Sequence, residues 1–287
     1  IGLLSAMRNG ELTDEHIEFL HKKSREGVHG EQFTQNKAIW IYPTNEMAFD
    51  RNSRVIEAAK NENRQVITLH SYDWWESTKK PLTKEDYPKE VSPKIGQTGG
   101  IPRQLELFDG CMVMLRRNID LAKGLVNGIV GHVSRIIWTH PEQRQLNSND
   151  FPIVEIEFDD IGAKKIKATD VTFNSTKSRD KIVRRMLPII PCYGCTVHKL
   201  QGSTVKFAVV YLGKELFATG QAFVALSRVT NSENLRIEGD ISIKDIKNIS
   251  KDSLTEQRRL RANQNFKDKY PQIIASIERN LFGDEMH

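Results

Sequence analysis

Six residues, Lys37-Ala38-Ile39-Trp40-Ile41-Tyr42, form a short apolar run closed by Pro43, and the pattern then changes period. Thr44-Asn45 can cap a helix, and Met47, Ala48, Val55, Ile56 and Ala58 follow at helical spacing. A run this short between breakers is a buried strand, so the segment is a strand–turn–helix unit. Units of this kind stack a sheet against helices, which puts the chain in the α/β class. The same grammar returns after residue 187, with strands expected at 207–211 and 235–237 flanking a helix over 221–227.

Ahead of this unit, Ile1, Leu3, Leu4 and Met7 mark a helix over 1–8 that Asn9-Gly10 stops. Thr13 caps a second helix, with Asp14 and Glu15 in its first turn and Ile17, Phe19 and Leu20 facing inward. Residues 66–73 read as one strand. Residues 74–103, rich in Lys, Glu, Pro and Gly, read as a long irregular excursion, which is either functional or mobile. Trp74-Trp75 at its start are suited to stacking on bases, but burial under the loop is the commoner fate of such a pair.

From Leu105 the pattern is different. Strands are expected at 110–115, 131–137 and 153–158, with glycine turns at Gly124, Gly128 and Gly131. Short strands without helical spacing indicate a small β-barrel inserted into the α/β domain. The chain then divides into a discontinuous α/β domain, 1–104 and 187–287, and an insert, 105–186. Two helical stretches are expected beyond Thr255, one carrying Arg258, Arg259 and Arg261.

The 287 residues suffice for one large domain or two ordinary ones, and a net charge of +5 fits a nucleic-acid partner without requiring one. No apolar run reaches the roughly 18 residues of a membrane-spanning helix, so no membrane partner is expected. Cys111, Cys192 and Cys195 are few and odd in number, as in a reducing compartment. Cys192, Cys195 and His198 suggest a zinc or thiol site. However, no second Cys/His pair stands at finger spacing, and thiols beside an apolar strand act as small hydrophobes. No bound metal is expected.

The chemistry concentrates in two blocks. Cys195-Thr196-Val197-His198-Lys199-Leu200-Gln201-Gly202 puts a hydroxyl, an imidazole, an ammonium and an amide on one turn ending at glycine. Gly220-Gln221-Ala222-Phe223-Val224-Ala225-Leu226-Ser227-Arg228 is a short apolar helix ending in one guanidinium, a group suited to phosphate. No G-x-x-x-x-G-K-[ST] phosphate loop occurs in the sequence.

These blocks resemble motifs V and VI of superfamily-one helicases. Two further blocks agree in order and spacing: Ile41-Tyr42-Pro43-Thr44-Asn45 with Asn52, and Leu115-Arg116-Arg117-Asn118 through Asn127-Gly128-Ile129-Val130-Gly131. Over nearly all of residues 1–240 the chain resembles the petite-integration-frequency (PIF-type) 5′→3′ DNA helicases, with Helitron and RecD-type enzymes as relatives. The resemblance implies the C-terminal half of such an enzyme: a second RecA-like motor domain with an inserted Src-homology-3-like barrel. The first motor domain, carrying the phosphate loop, would precede Ile1.

The same resemblance implies site residues. Arg228 would be the catalytic arginine finger, reaching ATP bound mainly, with Mg2+, by the N-terminal motor domain of the same protein. Gln201 and Gly202 would line that nucleotide cleft. Thr44, Asn45, Arg116, Asn118, Thr196, His198 and Lys199 would hold single-stranded DNA, and Asn127 would help keep the strand in its channel. A nuclear or mitochondrial setting is implied, and this chain alone is expected to be inactive as an ATPase.

Simpler roles stay open for several of these residues. Arg228 would otherwise pair with a carboxylate, His198 would hold its turn, Thr44-Asn45 would cap their helix, and Asn127-Gly128 would be a hairpin turn. A competing function is a stand-alone single-strand-binding module using Lys164, Lys165, Lys167, Lys177, Arg179, Lys181, Arg184 and Arg185.

Overall fold

The structure is a computed structural model that describes residues 2–9, 11–138, 150–200, 203–213 and 221–241. The helices expected beyond Thr255 lie outside them, as do Gln201, Gly202 and Gly220. In chain order the first elements are α1 (Gly2–Asn9), α2 (Asp14–Arg25), β1 (Ile39–Tyr42), α3 (Asn45–Asn61), β2 (Ile67–His70) and β3 (Tyr72–Trp75). Then come α4 (Tyr87–Glu90), β4 (Gln104–Leu107), β5 (Met112–Leu115), β6 (Val130–Ile137), β7 (Ile153–Phe158) and β8 (Gly162–Ile166). The last are β9 (Thr169–Asn174), β10 (Lys181–Met186), β11 (Ile189–Pro191), β12 (Gly194–Thr196), β13 (Ala208–Tyr211), α5 (Gln221–Leu226) and β14 (Leu235–Glu238).

The strand–turn–helix unit folds as its pattern requires. β1 is buried at every position and lies inside a parallel sheet of order β12-β1-β13-β14. Burial on both faces explains why it reads as a continuous apolar run and not as an alternation. α3 packs over β1 and β12 through Ala48, Val55, Ile56 and Ala59. All four strands end on the same edge of the sheet, and the turn segments after β1 and β12 meet there.

The remaining strands are antiparallel. A five-stranded sheet runs β11-β5-β6-β7-β8, a three-stranded one β3-β10-β9, and β2 pairs with β4. These sheets gather strands from 67–75 and 189–191 as well as from 105–186.

Several details differ from the sequence reading. Residues 66–73 form two strands divided at Ser71: its N–H still bonds the Arg103 carbonyl in register with the β2–β4 ladder, and from Tyr72 the chain pairs with β10 instead. Trp74 and Trp75 belong to the second strand and not to a loop. Strands β8, β9 and β10 were not expected; lysines in β8 and lysine and arginine in β10 mask the apolar pattern, β9 has only two apolar residues, and β8 and β9 are sheet edges where polar residues are tolerated. Gly124 and Gly128 do turn the chain, with φ of 73° and 96°. Gly131 instead sits within β6, where a Cβ would lie 2.6 Å from the Glu157 carbonyl oxygen.

Candidate nucleic-acid interface

Thr44, after β1, is the N-cap of α3, and its hydroxyl accepts from Met47 N at 3.2 Å. Asn45 beside it is exposed. One strand over, Thr196 ends β12 in register with Tyr42 and is only 4% exposed. β12 is an edge strand, and Asn52 of α3 fastens it. The Asn52 Oδ1 accepts from Tyr193 N at 2.8 Å and Gly194 N at 2.9 Å, while Nδ2 donates to the Gly194 carbonyl at 2.8 Å.

A 3-10 turn, Val197–Leu200, follows β12, burying Val197 and Leu200. That leaves His198 exposed and Lys199 half-buried. α5 straps this turn at both ends. At its start the Gln221 amide nitrogen lies 3.1 Å from His198 Nε2, within hydrogen-bond reach. Beyond its end, Arg228 Nη1 donates to the carbonyls of Leu200 at 3.0 Å and Ser203 at 3.2 Å. Its Nε reaches the Val224 carbonyl and its Nη2 the Ser227 hydroxyl, both at 2.8 Å. Arg228 therefore braces the turn, and among the described residues it pairs with no carboxylate. The Gln221 contact was not anticipated, because residues 23 apart in sequence carry no periodic signal.

The β5–β6 connection reaches the same place. Gly128 packs so closely against the turn that a Cβ there would lie 2.8 Å from Ser203 Oγ and 3.6 Å from the Lys199 carbonyl oxygen. Just before it, Asn127 N donates to Asn118 Oδ1 at 2.7 Å. The half-buried Arg116 side chain makes only long contacts among the described residues, to the Gly100 carbonyl at 3.5 Å and Met114 Sδ at 3.9 Å. Burial holds the Lys199 ammonium below the usual lysine range, and the Arg116 guanidinium nearby lowers it further. Burial lowers Arg116 as well. Lys199 loses its proton first, so it carries the cost of the repulsion. Neither cation forms an ion pair with a described residue, whereas Arg185 and Asp170 do so at 2.6 Å.

The alternative sites are not assembled. Cys192 and Cys195 are buried, and burial pushes the Cys195 thiol well up, with the neighbouring Cys192 adding to the effect. His198 faces outward. Among the described residues no three His, Cys, Asp or Glu side chains come together as metal ligands. Two members of the proposed basic patch are held in ion pairs. Arg184 is 1% exposed and bonds Asp73 through Nε at 3.0 Å and Nη2 at 2.7 Å, and Arg185 is paired with Asp170. No described helix is long and apolar enough to cross a membrane.

Residues 92–136, which include β4, β5, the Arg116–Asn127 connection and all but the last residue of β6, match the family model for the DNA helicase Pif1 2B domain. Over most of its length the chain is similar to Pif1-type DNA helicases. The ATP-dependent DNA helicase PIF1 of Xenopus laevis is 27% identical over 242 residues, 83% of this chain and 32% of its own length. That of Homo sapiens shows the same 27% identity and the same coverage. The chain thus spans about a third of these curated relatives (32%). Crystal structures of Pif1 share the mixed α/β fold with its parallel sheet. The Candida albicans Pif1 helicase aligns with a TM-score of 0.67 at 21% identity, covering 91% of this chain and 57% of that one. Bacteroides Pif1 bound to ssDNA aligns at 0.60 and 18% identity, covering 92% and 54%.

Proposed function

We propose that the chain is the second, RecA-like motor lobe of an ATP-dependent 5′→3′ DNA helicase, with an inserted Src-homology-3-like barrel over 105–186. Its part is to hold single-stranded DNA and to complete a nucleotide site whose other wall is the N-terminal motor domain of the same protein. One observation carries this reading. Arg116 and Lys199 crowd two positive charges at the end of a parallel sheet with no carboxylate paired to either among the described residues. A phosphodiester relieves that repulsion, and ligands of open α/β sheets bind beyond the carboxyl ends of the strands.

In this reading Lys199 and Arg116 hold phosphates as point charges, and His198, Asn118, Thr44 and Asn45 offer polar groups that ignore base identity. Thr196 backs the turn from within the sheet edge. Arg228, the proposed finger, moves its guanidinium from carbonyl partners to phosphate oxygens when the cleft closes. Because those carbonyls belong to the strand-holding turn, closure shifts the grip on DNA. Gln201 and Gly202 join the two sites. The donors here are cationic or neutral, so they suit the phosphates of ATP, while Mg2+ falls to the N-terminal lobe. ATP supplies the free energy of each closure.

Binding of a labelled oligothymidylate over a range of salt concentrations tests this. Replacing Lys199 and Arg116 with Gln should weaken affinity and flatten the salt slope by about 0.7 for each lost phosphate contact. An unchanged slope would sink the strand clamp.

A further inference from the structure

Two of the large apolar side chains most open to solvent stand on one tight structure in the β5–β6 connection: Leu121, 72% exposed, and Ile119, 42% exposed. This is a built knuckle and not a slack loop. Ile119 N donates to the Leu125 carbonyl at 2.9 Å, and Leu125 N returns a bond to the Asp120 carbonyl at 2.9 Å. Asp120 Oδ2 pairs with Lys123 Nζ at 2.9 Å, and Gly124, at φ 73°, turns the chain back. The Asn118–Asn127 bond closes its neck, and Gly128 just past the neck packs against the Lys199–Ser203 turn. The exposed apolar tip therefore stands on a knuckle whose base adjoins the segment carrying Lys199.

Two aliphatic side chains are too small a patch for a stable protein interface, which takes about 20–30 residues a side, but they match the face of one base. Arg116 and Arg117 directly precede the knuckle and, with Lys199 on the segment that Gly128 packs against, favour a polyanion, while Asp120 pairs with Lys123. We propose that Ile119 and Leu121 form a base platform: where the cations take the phosphates, the knuckle tip takes the apolar face of a base in the same single strand. This rests on the strand-clamp reading and adds to it a contact that distinguishes a strand with bases from a bare phosphodiester chain.

The experiment compares a labelled oligothymidylate with an abasic phosphodiester of equal length, each titrated with the full chain and with Ile119→Ala/Leu121→Ala. Both side chains are exposed, so the variant should fold, and Leu121→Met serves as the apolar control. The variant should bind oligothymidylate about tenfold more weakly, the abasic chain unchanged, with Leu121→Met near wild type. Equal loss on both ligands, or no loss on either, overturns the platform and leaves the clamp standing. A variant that binds both normally yet impairs unwinding by the full-length protein would assign the tip to a protein contact, which also overturns it. Failure of the unsubstituted chain to bind either ligand would defeat the clamp itself.

Discussion

Asn52 and Gly194 are joined by two hydrogen bonds of opposite sense: the Gly194 N–H donates to the Asn52 side chain, whose amide donates back to the Gly194 carbonyl. Asn52 thereby stands in for a neighbouring strand along β12, the sheet edge that leads into the Val197–Leu200 turn. The Asn52→Ala variant leaves the Tyr193 and Gly194 N–H groups without that partner. It should lose about 1–3 kcal/mol of stability in urea titrations. Asn52→Asp keeps the acceptor but loses the donor, and should fall between the two.

The Arg184–Asp73 pair sits directly across the β3–β10 ladder, and Arg184 Nη1 also donates to the Ile101 carbonyl at 3.0 Å. Removing one partner strands a buried charge. Arg184→Leu or Asp73→Leu alone should destabilise the fold by about 3–5 kcal/mol, while the double substitution should recover much of that loss. A double-mutant cycle on chemical denaturation measures it.

Lys199 gives a pH signature. Its folded pKa lies below its unfolded value, first through burial and then through Arg116. As pH rises between those two values the unfolded chain holds the extra proton, so stability should increase towards alkaline pH. A bound phosphate favours the charged form, so DNA binding should take up protons, and affinity should fall as pH rises through the lowered pKa. Calorimetry in buffers of different ionisation enthalpy reads the uptake, and Lys199→Arg should abolish it.

The thiols should be inert in the native state. All three are buried, and burial pushes Cys111 up to about 11 and Cys195 well above its usual range. Labelling by a thiol reagent should follow the unfolding rate. Fast labelling of Cys192 or Cys195 in folded protein would revive a thiol or metal role.

Arg228 holds the 200–203 turn through two carbonyls, so its loss should act twice. In full-length protein Arg228→Ala should lower kcat for ATP hydrolysis by ~10³-fold and also weaken single-strand binding. The chain alone should not hydrolyse ATP above background. Measurable turnover lost in Arg228→Ala would contradict the division of the nucleotide site between two lobes.

Local pattern was enough for the α/β class, for β1 and α3, for the Thr44 cap and for the turns at Gly124 and Gly128. Each depends on residues within a few positions of one another, where period and backbone preference act directly. Lys199, Arg116 and Arg228 became candidates through the family resemblance and not through local pattern alone. The sequence did not reveal that Trp74 and Trp75 lie in a strand or that 162–186 supplies three more. Edge strands and partly covered ladders do not need an apolar alternation.

What belongs to the tertiary structure alone is the set of distant meetings: Gln221 on His198, Arg228 on Leu200 and Ser203, Gly128 on Ser203, Arg184 on Asp73. The chain specifies each residue's chemistry, since charge and hydrogen-bonding capacity are properties of the side chain. Whether an arginine is spent on a buried aspartate or left beside another cation is decided by which strands pair. That pairing is set by burial summed over the whole core, which no short window of sequence contains.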